Sequence, residues 1–206
     1  MNLLKKNLPV AIITIFHLVG FVGFLISPAY FRSLTPVNLL LSAFLVLVMS
    51  GQVSARFFLT MLLVAIAGWL VEVAGVNTGL VFGHYHYGAA LGYKVFATPV
   101  LIGVNWALLI YATNQCIRFT NKYLNILFAA LLMLGLDFFI EQSAARFDFW
   151  YWRGGHIPLQ NYIAWFIISL MMNWGAREPL SQKANPAARA FYVIQVLFFV
   201  ALYIVK

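Results

Sequence analysis

Apolar residues fall into seven long runs, at positions 8–26, 37–50, 56–74, 96–113, 123–141, 158–174 and 189–205. Short polar or glycine-rich stretches separate them. Most approach the ~20 residues that a helix needs to cross a bilayer. The runs are continuous rather than alternating, and in lipid only helices and closed barrels satisfy their own backbone. The pattern therefore predicts an all-α fold: a polytopic transmembrane helical bundle of about seven spans. The second run is the shortest, and a helix partly shielded by protein or extended into Pro36 and Gly51 is expected there. With no internal repeat and no low-complexity stretch, positions 1–206 read as a single integral membrane domain.

Composition agrees with this pattern. The chain is 64% hydrophobic and only 9% charged, with a mean hydropathy of +0.91; soluble domains carry about 25% charged residues. The net charge of +8 would raise nucleic acid as a partner in a soluble protein. Here the basic residues stand singly between apolar runs, so they read as topology signals and contacts to membrane lipid, with no nucleic-acid partner. Lys5, Lys6, Arg56, Arg118, Lys122, Arg177, Lys183 and Arg189 fall on one predicted face. Arg32, Lys94, Arg146, Arg153 and Lys206 fall on the other. The excess places the N-terminus in the cytoplasm and the C-terminus outside. Lys5-Lys6 ahead of an apolar run imitates a signal peptide, but the run is long for one and Ser27-Pro28-Ala29 is a poor cleavage site. The single cysteine, Cys116, excludes an internal disulfide.

The chemistry lies in the acids. The chain has five acidic residues, and two of them, Asp137 and Glu141, sit one helical turn apart at the end of the fifth run. A third, Glu72, closes the third run. Carboxyl groups at membrane depth are expensive and mark functional sites. Asp137 is the deeper of the pair, and a carboxylic acid kept neutral in an apolar pocket is a competent proton donor. Asn105-Trp106 interrupts the fourth run, and Asn161 precedes Trp165 by one turn; such amides brace carboxylates, position water or join helices. Two loops on the same predicted face, 75–88 and 148–156, are rich in Gly, Tyr, Trp and His. They are expected to lid a cup formed by the ends of the third to sixth runs. The aromatic residues suit a membrane interface, and equally a site that stabilises a cation.

Several chemistries are disfavoured. His84-Tyr85-His86 has no further ligands at a convincing spacing, so no metal site is expected. The seventh run has no lysine before the terminal Lys206, which argues against a retinal Schiff base. No phosphate loop, Ser-His-Asp order or cysteine cluster is present.

Taken in order, Glu72-x-x-Gly75-x-x-Thr78-Gly79-x-x-Phe82-Gly83-x-Tyr85-x-Tyr87, Pro99 with Asn105-Trp106, Asp137-x-x-x-Glu141, Trp150-x-Trp152 and Asn161-x-x-x-Trp165 form an ordered set. It resembles the membrane carotenoid-biosynthesis family that includes bisanhydrobacterioruberin hydratase and related carotenoid end-group hydratases. Two positions depart from the family's habit: Val81 stands where it tends to have proline, and Glu141-Gln142 where it tends to have Asp-Pro. The resemblance implies hydration of the terminal C1=C2 double bond of a linear carotenoid to a tertiary alcohol, with no cofactor. It implies Asp137, Glu141 and Glu72 as catalytic residues. Substrate or water contacts are expected from Asn77, Thr78, His84, Tyr85, Tyr87 and Asn105, and from Trp106, Trp150, Trp152, Asn161 and Trp165. The expected partners are a lipophilic carotenoid and, loosely, other enzymes of the pathway, in a bacterial or archaeal cell membrane. A cyclase or isomerase using the same carbocation, or a non-enzymatic carrier or sensor with a proton relay, are the alternatives.

Overall fold

A computed structural model describes residues 3–49, 51, 54–181 and 183–205. Ser50, at the end of the second run, and Lys206, in the charge count, lie outside the described residues. Seven of the helices follow the apolar runs, and α2 is a short helix in the gap between the first two: α1 (Leu3–Ile26), α2 (Pro28–Ser33), α3 (Thr35–Val48), α4 (Ala55–Thr78), α5 (Leu101–Cys116), α6 (Lys122–Ala144), α7 (Leu159–Leu180) and α8 (Pro186–Ile204). Four short strands lie between them: β1 (Tyr85–Tyr87), β2 (Lys94–Val95), β3 (Thr98–Pro99) and β4 (Trp150–Trp152).

The chain folds as a helical membrane protein. Among the described residues, α4, α6, α8 and residues 7–26 of α1 are long and apolar enough to cross a membrane. The other three runs lie on α3, α5 and α7. α3 has 14 residues and α5 has 16; α7 carries Gln160, Asn161, Asn173 and Arg177. α5 is the central helix, packed on α3, α4, α6, α7 and α8, and buried from Trp106 to Gln115. A helix with no lipid face can hold polar side chains, provided each finds a partner. Gln115 and Asn114 do so, donating to the Leu180 carbonyl and to Asn173. α4 lies close on α5 because Gly103 has no side chain; a Cβ there would sit 2.4 Å from the Ala65 carbonyl oxygen.

The fourth run starts later than its apolar character predicts. Phe96 and Ala97, both at positive φ (49° and 60°), form the turn of a β2–β3 hairpin, and the helix begins only at Leu101. Positive φ at two successive positions is the turn that matches hairpin twist, and it is incompatible with helix. Ion pairs and hydrogen bonds sort the charges to two ends. Arg56 pairs with Glu178, and Lys183 donates to the Gly51 carbonyl. At the other end Arg32 pairs with Asp148, and Lys94 donates to the Tyr87 carbonyl.

Candidate active site

The two aromatic loops meet as a two-stranded antiparallel sheet, with β1 paired to β4 in the register Tyr85 to Trp152, His86 to Tyr151 and Tyr87 to Trp150. Side chains alternate across a strand. Tyr85, Tyr87, Trp150 and Trp152 therefore face the bundle, while His86 and Tyr151 stack on each other on the outer side, with ring centroids 5.3 Å apart. Gly75 brings this lid down onto α4: a Cβ there would sit 2.6 Å from Phe82 and 3.1 Å from the Tyr85 hydroxyl.

Beneath the sheet the three intramembrane acids line one cavity of about 320 Å³, and all three are buried. Glu72 accepts three hydrogen bonds: Tyr85 Oη at 2.6 Å and Tyr87 Oη at 2.7 Å on Oε2, and Trp106 Nε1 at 3.0 Å on Oε1. Burial, and then the neighbouring Glu72 carboxylate, push both tyrosine phenols far above their ordinary pKa, so they stay protonated and donate. Glu141 also accepts three: Trp150 Nε1 at 3.0 Å and Trp152 Nε1 at 2.7 Å on Oε2, and Asn161 Nδ2 at 3.1 Å on Oε1. Asn161 reaches Asp137 as well, at 3.2 Å from Oδ2. Asp137 Oδ1 is buried with no partner among the described residues. Of the six oxygens in this cluster it is the one that accepts nothing.

The apolar side of the wall is aromatic. Trp165 stacks on Trp106, with centroids 4.1 Å apart and planes inclined by 15°. Phe82 packs against both Tyr85 and Trp165. Asn105 lines the cavity on the same face of α5 as Ile102 and Leu109, and its amide has no hydrogen-bond partner among the described residues.

The structure thus gathers Glu72, Asp137, Glu141, Tyr85, Tyr87, Asn105, Trp150, Trp152, Asn161 and Trp165 around one space, with Trp106 directly behind. It leaves out three residues expected in the site. Asn77 is exposed and donates to the carbonyls of Val73 and Phe96, so it pins the β2–β3 turn. Thr78 is exposed and bonds the Ala74 carbonyl and the Leu80 amide at the end of α4. His84 is exposed, because strand alternation turns it away from the face used by Tyr85. Among the described residues no group of three His, Cys, Asp or Glu is arranged to hold a metal. Sequence reasoning missed the part of the wall given by α1, α3 and α8, among them His17, Asn38 and Gln195. The polar ones stand alone in apolar runs, and no spacing links them to the acids.

Comparison with known proteins places this cluster in context. No solved structure matches the chain. Bisanhydrobacterioruberin hydratase of Haloarcula japonica is 25% identical over 128 residues, a match covering 56% of this chain and 43% of that protein. The chain therefore spans less than half of the curated relative's length. A profile of the carotenoid biosynthesis protein family matches residues 34–206, and so includes Glu72, Asp137 and Glu141 with Tyr85, Tyr87, Trp106, Trp150, Trp152 and Trp165. On the breadth of that match, the chain belongs to the carotenoid biosynthesis protein family.

Proposed function

We propose that the protein hydrates the terminal C1=C2 double bond of a linear carotenoid, by protonation from Asp137 and addition of water. The observation that carries the reading is the free Oδ1 of Asp137 beside two carboxylates already saturated with donors. An acceptor-only carboxylate is what three converging N–H or O–H groups suit. The oxygen that accepts nothing is the one placed to carry a proton. The family and the distant hydratase relative support the same reading.

The chemistry runs as follows. The Asp137 carboxylic acid gives its proton to C2, and the alkene electron pair forms the new C–H bond. The tertiary cation left at C1 faces aromatic rings and the Glu72 and Glu141 carboxylates, in a cavity that excludes bulk water. Water held by the free amide of Asn105 adds through oxygen to C1. The resulting oxonium loses a proton to Glu141, which shares Asn161 with Asp137; passage of that proton to Asp137 restores the acid. Net H and OH add across the double bond. The step is redox-neutral and calls for no redox cofactor.

The direct test is expression in a lycopene-producing host with mass analysis of the pigment. A gain of one water per reacted end is expected. A pigment of unchanged mass with altered retention would instead identify cyclisation or isomerisation, and unchanged pigment would point to a carrier or sensor. One variant probes the Glu141 arm. Trp152→Phe keeps the ring but removes the 2.7 Å donor. A hydrogen bond to a charged group contributes about 1.5–3 kcal/mol, so turnover on purified protein is expected to fall by roughly 10- to 100-fold. Undiminished turnover would show that this donor does not serve catalysis.

A further inference from the structure

We propose that the cavity opens sideways into the bilayer between α1 and the α2–α3 segment, and that the polyene tail of the substrate lies in this opening while its end group sits at the acids. This deepens the reading above and rests on it for the identity of the occupant.

A cavity of about 320 Å³ is at the small end of ligand pockets, which run ~300–1,000 Å³. A linear carotenoid is a stiff rod about as long as the hydrocarbon core is thick, ~30 Å. The cavity holds its end, and the rest must leave through the wall. The wall shows where. Near the acids it is sealed by buried side chains and by the β1–β4 lid. Part of it is formed by Phe16 and Val19 of α1 and Val37 of α3, which line the cavity and yet are 46%, 55% and 58% exposed. A residue that borders the cavity and the outer surface at once marks a rim. This rim is apolar and sits on a membrane-length helix, so the phase outside it is hydrocarbon, where a carotenoid resides. The three rim side chains themselves carry no polar atom.

Gly20 sets the width of the neck. It lies in the cavity wall between Val19 and Phe24, and a Cβ there would meet only the Phe198 ring, at an ordinary 3.7 Å. A larger side chain is therefore accommodated by the backbone and projects into the passage. The family match begins at residue 34, so it includes Val37 of this rim and not Phe16, Val19 or Gly20.

The test compares two probes on the full-length protein in lipid nanodiscs: lycopene, and a short branched alkene carrying the same terminal trisubstituted double bond. Gly20→Phe is the blocking variant and Gly20→Leu the milder one. Leu59→Phe, on an exposed part of α4 outside the cavity wall, is the control. Retained lycopene per mole of protein, read from its absorption, is expected to fall at least about tenfold in Gly20→Phe, the scale of a steric misfit in an apolar pocket. Lycopene turnover is expected to fall with it, while turnover of the short alkene stays within about twofold of wild type and Leu59→Phe changes neither. If both Gly20 variants, inserted and monodisperse, retain lycopene as wild type does, the passage lies elsewhere. Equal loss of both probes would show disruption of the acid site rather than a blocked passage, and would also overturn it. Wild type that retains lycopene but hydrates neither probe would refute the hydratase reading and leave the retention comparison to decide the passage. Wild type that retains no lycopene would overturn both.

Discussion

Asp137→Asn is expected to insert and fold normally and to lose hydration turnover by roughly 10²–10⁴-fold, the range over which general acids act. The fold is spared because Asn is nearly isosteric and the contact with Asn161 survives by rotation of one amide. Turnover is lost because the substitution removes the one of the three acids with a carboxyl oxygen that has no partner among the described residues. Glu141 is the poorer resting donor, since both its oxygens already accept from Trp150, Trp152 and Asn161. The measurement is hydrated carotenoid formed per mole of monodisperse protein. Near-normal turnover in Asp137→Asn would refute Asp137 as donor and return Glu72 and Glu141 as candidates.

Glu72→Ala is expected to damage the structure first. Three buried donors, from Tyr85, Tyr87 and Trp106, converge on that carboxylate. Stranding a buried donor costs about 1–3 kcal/mol, so losing all three at once takes a large share of the roughly 5–15 kcal/mol that a folded domain has in hand. β1 would lose its attachment to α4, and with it the lid. Thermal unfolding in detergent should show a lowered midpoint, with Glu72→Gln closer to wild type because its amide oxygen still accepts. An unchanged midpoint for Glu72→Ala would mean that these contacts do not hold the lid.

The two variants separate roles that the sequence leaves merged. Asp137, Glu141 and Glu72 are equally visible as acids in apolar runs. Only their partners distinguish an anchor, saturated by three donors, from an acid with a free oxygen. The same holds for the aromatic loops: 84–87 contains alternating His and Tyr, and composition does not say which pair faces inward. Pairing of β1 with β4 sets that phase, sending Tyr85 and Tyr87 to Glu72 and leaving His84 and His86 exposed. Asn77 and Thr78, expected in the site beside Glu72, bond instead at the hairpin turn and the helix end.

What the sequence determined by itself was the helical membrane character, the approximate position of every helix except the short α2, and the three acids with their aromatic company. These depend on hydropathy and helical spacing, which are local properties of the chain. Hydropathy also marks its own limit, since α5 is short and carries Asn105, Thr113, Asn114 and Gln115 yet sits at the centre, where neighbours replace lipid. The tertiary structure alone decided which groups touch. The Glu141–Trp152, Glu72–Trp106 and Asp137–Asn161 contacts join separate helices and loops. The rim formed by α1 and α3 is made of apolar side chains indistinguishable in sequence from any other lipid-facing residue. A cavity is a property of helices packed together, and no single run carries its signal.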